Sequence, residues 1–514
     1  MIEYLISEDA AQEAARRLRE LIDGHGEWLC VGGEAHAAVS LRKSECDFHV
    51  SHGRLIFSCW GDRGALAWRV TAWEWTGEKL LLTASRRVGA ESARLELIPR
   101  TGHAALAAHV ADTRRRASLH LAQLASAALA GAAVERAGLS AGARRGEPGR
   151  YARIMLRHLG QERVAATCDL AEAAGRGVDA FLSSALLWFA RAQEQRTRPL
   201  YVRRLCLLAG QGSISALAER LALLREDLRR VITLYRLDDE WQELAPVRAP
   251  ALEELLREPP RRFGRPAPDA LSETAARIVA HAPEAVDVVR SRHAETLRFH
   301  GLAFARVRRV MNSERVWFGV EGPRRRLLGE DTLEEWTKLL RDLKEHRRVD
   351  APDRRHALYR ASPEAWLESI LRRDITRLDP GLRLAPLFAQ FRPAREAGRH
   401  ARPIDLLALR RDGRLVVIEL KVSADREHVL QAADYWRHVE AHRRAGHLTR
   451  ARLFGDADIS DHPPLVYLVA PALRFHPAFQ KLAHTISPSI EMYRLDLNED
   501  WRARVRVTRR CELT

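Results

Sequence analysis

The segment PIDLLALRRDGRLVVIELKV, residues 403–422, constrains this chain more than any other. Two apolar runs flank Asp412-Gly413, a dipeptide that favours the tight turn of a β-hairpin. Side chains alternate along a strand, so Val417, Glu419 and Lys421 fall on one face and Val416, Ile418 and Leu420 on the other. The hairpin then brings Asp405 across from the Glu419–Lys421 edge. Two carboxylates and one ammonium converge in an otherwise apolar sheet, and burying them is costly unless they pair or hold a cation. A divalent ion resolves the conflict. Mg²⁺ takes oxygen ligands and keeps waters, so Asp405, Glu419 and the backbone carbonyl of Leu420 supply three positions, with water and a phosphate oxygen for the rest. Lys421, one pleat beyond Glu419, is then placed to orient the water that attacks phosphorus.

Two flanking segments extend this constellation. SADREHVLQAADYWRHVEAH reads as a helix on which Gln431, Tyr435, His438 and His442 recur at spacings of four, three and four. That stripe either positions a phosphate backbone or is a partly buried face with polar tips. Upstream, ASPEAWLESILRRDI has Ser362 as N-cap, Pro363 at the first helical position, and Leu367, Ile370, Leu371 and Ile375 as its buried stripe. Glu368 lies beside that stripe, either aimed into a cleft or exposed near the helix start.

At 514 residues the chain is too long for one hydrophobic core and divides into about three or four units. Residues 1–140 read as an antiparallel β-meander with flanking helices. An amphipathic helix runs from Ala10 to Ile22, short strands follow, and a long Ala-rich helix covers about 103 to 138. Five of the twelve tryptophans lie between residues 28 and 75, with Trp73 and Trp75 on one strand face and Trp68 on the other. They form either a core or a base-stacking platform. Residues 141–245 are mixed α/β, and SISALAERLALLREDLRRVI (213–232) fits a helix-turn-helix carrying Arg229 and Arg230, or a plain surface helix pair. Prolines 246, 250, 259, 260, 266 and 268, interleaved with Arg261, Arg262 and Arg265, make 246–270 a linker. Residues 271–350 read as a hairpin plus a helix, and 351–514 as the unit holding the charged hairpin. YARI then ERV (Tyr151, Glu162) and FARV then ERV (Phe304, Glu314) suggest either a faint repeat or a coincidence in an Arg/Ala-rich chain.

Composition narrows the class. The chain holds 84 Lys plus Arg against 68 Asp plus Glu, and the resulting +16 favours a polyanionic partner. No run of ~20 apolar residues could cross a bilayer, and MIEYLISEDAAQEAARRLREL lacks the parts of a signal peptide, so a cytoplasmic protein without a membrane partner is expected. The six cysteines are scattered, with no spacing that suggests a zinc site or an iron–sulfur cluster.

Asp405, then Glu419 to Lys421 fourteen residues on, then Q-x-x-x-Y at Gln431 and Tyr435, with helical Glu368 upstream, resembles the PD-(D/E)XK nuclease superfamily. Residues 360–475 look most like its RecB-like branch, which includes the C-terminal domains of NucS-type endonucleases. The resemblance implies a restriction-endonuclease-like α/β/α domain at the C-terminus of an α/β multidomain chain. It further implies Mg²⁺ or Mn²⁺ held by Glu368, Asp405, Glu419 and the Leu420 carbonyl, with catalysis by Asp405, Glu419 and Lys421. Gln431 and Tyr435 would lie beside the substrate, and the four cysteines of the iron–sulfur members are missing. The expectation is a metal-dependent nuclease on DNA, RNA remaining open, in repair or in defence against foreign DNA, with an endonuclease favoured over an exonuclease. Cutting both strands of a duplex would favour a homodimer. The rivals are an inactive DNA-binding scaffold on the same fold and a transcriptional regulator built on 213–232.

Overall fold

The structure is a computed structural model. It describes the chain apart from residues 1–2, 5–6, 33–37, 62–63, 78, 87–90, 100–102, 143–147, 160–161, 172–176, 195–200, 258–269, 292–293, 311–312, 321–324, 385–404 and 514. Only the backbone is described at 31–32, 38–40, 61, 64–66, 86, 91, 103–109, 112 and 384. The expected arginine-rich stretch of the linker, with Arg261, Arg262 and Arg265, lies outside the described residues. Two compact units emerge, Met1–Ala218 with Arg230–Ala249, and Glu219–Arg229 with Pro250–Thr514.

In the first unit the helix Glu8–Asp23 starts at Ser7, whose side chain accepts from Ala10 N–H, and it buries Ala11, Ala14, Leu18 and Ile22. That stripe packs on an antiparallel sheet whose strands from Cys46 to Pro99 run as a meander. Gly64–Trp75 is bulged between Val70 and Ala72. One extra residue there resets the alternation. Trp68, Val70, Trp73 and Trp75 therefore share the core face, where strict alternation would have separated Trp68 from the other two tryptophans.

Residues 103–247 build a second sheet. The helix His103–Ala128 ends before Gly131, whose φ of +80° turns the chain back into the strand Ala132–Ala141. Residues 132–138 are thus strand, although their alanine content favours helix. Cross-strand pairing with Pro148–His158 overrides that propensity. The remaining strands follow in spatial order: Glu162–Asp169, Val202–Gly210, Ile232–Leu237 and Leu244–Val247. The pairs at either end are antiparallel, and Glu162–Asp169, Val202–Gly210 and Ile232–Leu237 are mutually parallel. The helix Val178–Glu194 makes the first parallel crossover; Gln211–Leu221 and the six-residue Glu226–Val231 make the second. Glu226–Val231, the second helix of the helix-turn-helix candidate, runs directly into the strand Ile232–Leu237.

In the second unit, five antiparallel strands from Val286 to Leu327 form a meander covered by Glu273–Ala280 and Leu333–His346. A six-stranded mixed sheet follows: Leu382–Leu384, Leu406–Arg410, Leu415–Leu420, Leu465–Pro471, Met492–Leu497 and Val507–Glu512, neighbours in that order. The helix Pro363–Arg373 covers one face, packing Trp366, Leu367 and Leu371 against Leu406, Ile418 and Leu420. His428–Arg444 covers the other, packing Tyr435 and Val439 against Leu407, Leu409 and Val417. With helices on both faces, Leu415–Leu420 is buried along its whole length, which is why it reads as a continuous apolar run.

The two mixed sheets follow one chain path, with a preceding helix, three antiparallel strands, two parallel crossovers through helices, and a closing antiparallel strand. The hairpins at Tyr151–Glu162 and Phe304–Glu314 are not copies of each other. The first lies in a mixed sheet and the second in an all-antiparallel one.

Candidate active site

The meander of the second unit fixes the helix that carries Glu368. Its turn at His300-Gly301 lies against the start of Pro363–Arg373, where Gly301 has φ +80° and a Cβ would sit 1.9 Å from the Ala365 carbonyl oxygen. Only glycine fits there. The His300 ring stacks on Trp366 with centroids 5.2 Å apart. Buried Arg347 donates to the carbonyls of Phe299, His300, Leu358 and Ala361 at 2.7–2.9 Å, tying turn and helix together.

On the hairpin, Leu406 pairs with Ile418, which sets Asp405 opposite Glu419. Asp405 Oδ2 accepts from the Leu420 N–H at 2.8 Å. Lys421 Nζ donates to Glu419 Oε1 at 2.7 Å, with Asp425 3.9 Å away. Glu419 is 2% exposed, and its Oε2 meets no N–H or ammonium donor among the described residues, only the neighbouring Asp405 carboxyl, which can share a proton with Glu419. Burial drives the Asp405 carboxyl well above its ordinary range, and the charge of Glu419 adds to the rise. Burial also raises Glu419, against the opposing pull of Lys421. The ammonium of Lys421 is held protonated by the two acids despite its own burial. Two acids thus compete for the compensation that one lysine provides.

Glu368 is buried, and its two oxygens accept from Arg298 Nη1 and Nη2 at 3.2 and 3.1 Å. Arg298, on the meander strand Ala294–Phe299, also donates to Asp287 at 2.8 Å, and Arg372 reaches the same Asp287 oxygen at 3.0 Å. The Glu368 charge still raises Asp405, but its oxygens are engaged by the guanidinium. Ser362 occupies the N-cap position in a left-handed conformation, with no side-chain capping bond.

Gln431 is buried, donating through Nε2 to Glu427 Oε2 at 3.2 Å, while its Oε1 has no hydrogen-bond partner among the described residues. Tyr435 lies in the apolar contact between helix and sheet. His438 stands 3.5 Å from Asp434, and the Nδ1 atoms of His442 and His447 are 2.9 Å apart.

Two neighbours of the acid pair escaped sequence reasoning. Glu364, half-buried in the first turn of the Glu368 helix, raises Glu419 and Lys421 by its charge. It precedes Glu368 by four residues and so shares its helix face, a spacing visible in the sequence. His428 is fully enclosed, bonded through Nε2 to the Glu419 carbonyl at 3.2 Å, and burial together with Lys421 pushes it down to about 3. It is neutral and donates, fixing the peptide that carries Glu419. No sequence signal marks it.

Among the described residues no group of three or more His, Cys, Asp and Glu side chains is arranged to hold a metal ion. Residues 385–404, including Pro403 and Ile404 just before Asp405, lie outside the described residues. Among the described residues no helix is long and apolar enough to cross a membrane.

No protein-family model matches the chain, and no curated protein does. Among solved structures, an apo form of EndoMS aligns over 41% of this chain and 88% of its own, at 10% identity and a TM-score of 0.13. An EndoMS complex with double-stranded DNA aligns over 46% and 97%, at 11% identity and a TM-score of 0.17. A repair endonuclease from Pyrococcus abyssi aligns over 41% and 88%, at 13% identity and a TM-score of 0.13.

Proposed function

We propose that the 351–514 unit is a divalent-metal-dependent nuclease acting on nucleic acid, DNA first, with cleavage inside the strand. The observation that carries this reading is the buried acid pair: Glu419 keeps an oxygen whose one available donor among the described residues is a protonated Asp405, and Asp405 and Glu419 share one lysine. That donor set suits a hard cation. Asp405, Glu419 and the Leu420 carbonyl would hold Mg²⁺ or Mn²⁺, with Glu368 joining once released from Arg298. When bound, the ion supplies charge stabilisation at the phosphate and lowers the pKa of a coordinated water. The chain's own residues do the rest. Lys421, oriented by Glu419, presents an ammonium that stabilises an attacking hydroxide or a non-bridging phosphate oxygen. The Leu420 N–H and His428 hold the Asp405 carboxylate and the Glu419 peptide in place. Gln431 and Tyr435, buried on the helix that packs the Glu419 face of the sheet, would lie beside the substrate backbone. A role in repair or in defence against foreign DNA fits this chemistry equally.

One observation favours a second reading, an inactive nucleic-acid-binding scaffold: the Glu368 oxygens are taken by Arg298. Purified protein with Mg²⁺ or Mn²⁺, offered linear, circular, single-stranded, flapped and mismatched DNA, separates the two. Cleavage that EDTA stops and that Lys421→Ala abolishes, with DNA binding retained, is expected. Cleavage undiminished in Lys421→Ala would sink the catalytic assignment, and binding without any cleavage would establish the scaffold.

A further inference from the structure

The shared chain path of the two mixed sheets allows position-by-position comparison. Across the second unit's hairpin Asp405 faces Glu419, and across the first unit's hairpin Arg153 faces Thr167. Glu419 is level with Leu468, three residues before the end of its strand at Pro471. Thr167 is level with Leu207, three residues before the end of its strand at Gly210. The faces agree as well, since in each sheet these residues lie opposite the face packed by the leading helix. Arg153, Thr167 and Asp169 therefore stand where the other sheet has Asp405, Glu419 and Lys421.

That exchange replaces two carboxylates and an ammonium with a guanidinium, a hydroxyl and a carboxylate, and further arginines make the site basic. Arg153 donates to Thr167 Oγ1 at 3.1 Å and to the Ser184 carbonyl and hydroxyl at 3.1 and 2.6 Å, all neutral acceptors. Its guanidinium lies 4.6 Å over the Trp188 ring, and burial lowers it to about 10. Arg150 reaches Asp169 at 2.8 Å while its buried Nε has no hydrogen-bond partner among the described residues. Gly177, at φ +98°, leaves the space that Arg150 fills, because a Cβ there would come within 2.8 Å of Nη2. Arg114 on the leading helix acts on the same cluster, lowered by burial and by Arg150 and raised by Asp169. Arg191 adds its charge to Arg153. Arg150 and Arg114 act on Asp169, and Arg150 and Arg153 both lie over the Tyr151 ring, 5.1 and 5.7 Å from its centroid; an acid pair able to hold a divalent cation is absent from the described residues around them.

Buried guanidinium charge facing neutral acceptors is compensated when an anion enters, and the planar fork fits phosphate oxygens two at a time. We propose that the 103–247 module is a non-hydrolysing copy of the fold whose pocket binds the phosphate backbone of a nucleic-acid strand through Arg114, Arg150 and Arg153. The experiment measures fluorescence anisotropy of labelled single-stranded and duplex DNA with the full chain, at ionic strengths from about 50 to 200 mM. Arg114→Gln and Arg150→Gln should each weaken binding about tenfold, and the double variant should reduce the log–log salt slope by about two. Arg150→Lys should keep most of the affinity. In the wild-type chain, DNA should protect residues 148–169 from hydrogen exchange, a readout that needs no variant to fold. Unchanged affinity and slope in the double variant, or no protection of 148–169, overturns the proposal. So does displacement of the DNA by inorganic phosphate or a mononucleotide at micromolar concentration, which assigns the pocket to a small anion. This site and the nuclease site fail separately, because the readout is binding at one and cleavage at the other.

Discussion

Replacing Arg298 with Met tests how the second unit holds its upstream acid. Arg298 is 3% exposed and bridges Glu368 and Asp287 through four contacts of 2.8–3.2 Å. Methionine keeps the volume and removes the charge. Asp287 stays compensated by Arg372 at 3.0 Å, so the loss falls on Glu368, which keeps the nearby charge of Arg372 but no guanidinium on its oxygens. Breaking a buried pair by deleting one partner costs roughly 3–5 kcal/mol, and the retained Arg372–Asp287 contact sets the expectation near 3. Glu368→Gln in the same chain removes the stranded charge and should recover most of the loss, giving a strongly non-additive double-mutant cycle. Chemical denaturation measures the stability. Hydrogen exchange of the 363–373 helix localises the effect. A loss below about 1 kcal/mol, or additivity of the two substitutions, would refute the reasoning.

Three further outcomes follow from the same geometry. Asp405 holds its proton to a higher pH folded than unfolded, so its contribution is full below the unfolded value of about 3.9 and is lost as pH rises through the raised one; without divalent metal, Asp405→Asn should gain stability over wild type with rising pH, by about 1.4 kcal/mol per unit of displacement, and parallel pH–stability curves would contradict this. Gly301→Ala should cost roughly 1–3 kcal/mol, read as a lowered Tm, because its Cβ would meet the Ala365 carbonyl in a left-handed backbone. Glu364→Gln removes a negative neighbour that raises Glu419, so the acidic limb of a cleavage pH profile should move to lower pH; an unmoved limb would exclude Glu364 from the site.

Much of this was legible because it rests on local rules. Asp412-Gly413 marked the hairpin, strand alternation separated Glu419 and Lys421 from Ile418 and Leu420, and helical periodicity found the two covering helices. What escaped depends on partners distant in sequence. The Arg298–Glu368 pair joins residues 70 apart, and His428 acts through a backbone carbonyl, a contact that leaves no pattern. The bulge at Val70/Ala72 moved Trp68 to the face of Trp73, since one extra residue inverts every side chain beyond it. Alanine content concealed the strand Ala132–Ala141, where pairing outweighed propensity.

The parallel pairing of Leu415–Leu420 with Leu465–Pro471 has a consequence for truncation. Those partners are separated by the helices His428–Arg444 and His447–Arg450 and a loop, so a fragment stopping near residue 455 keeps the charged hairpin but leaves the inner edge of Leu415–Leu420 open. Such an edge, apolar but for Glu419, is a template for intermolecular strand addition. Shortening the chain from that side should yield aggregates, visible by size-exclusion chromatography, where a smaller monodisperse domain would show that the edge is tolerated.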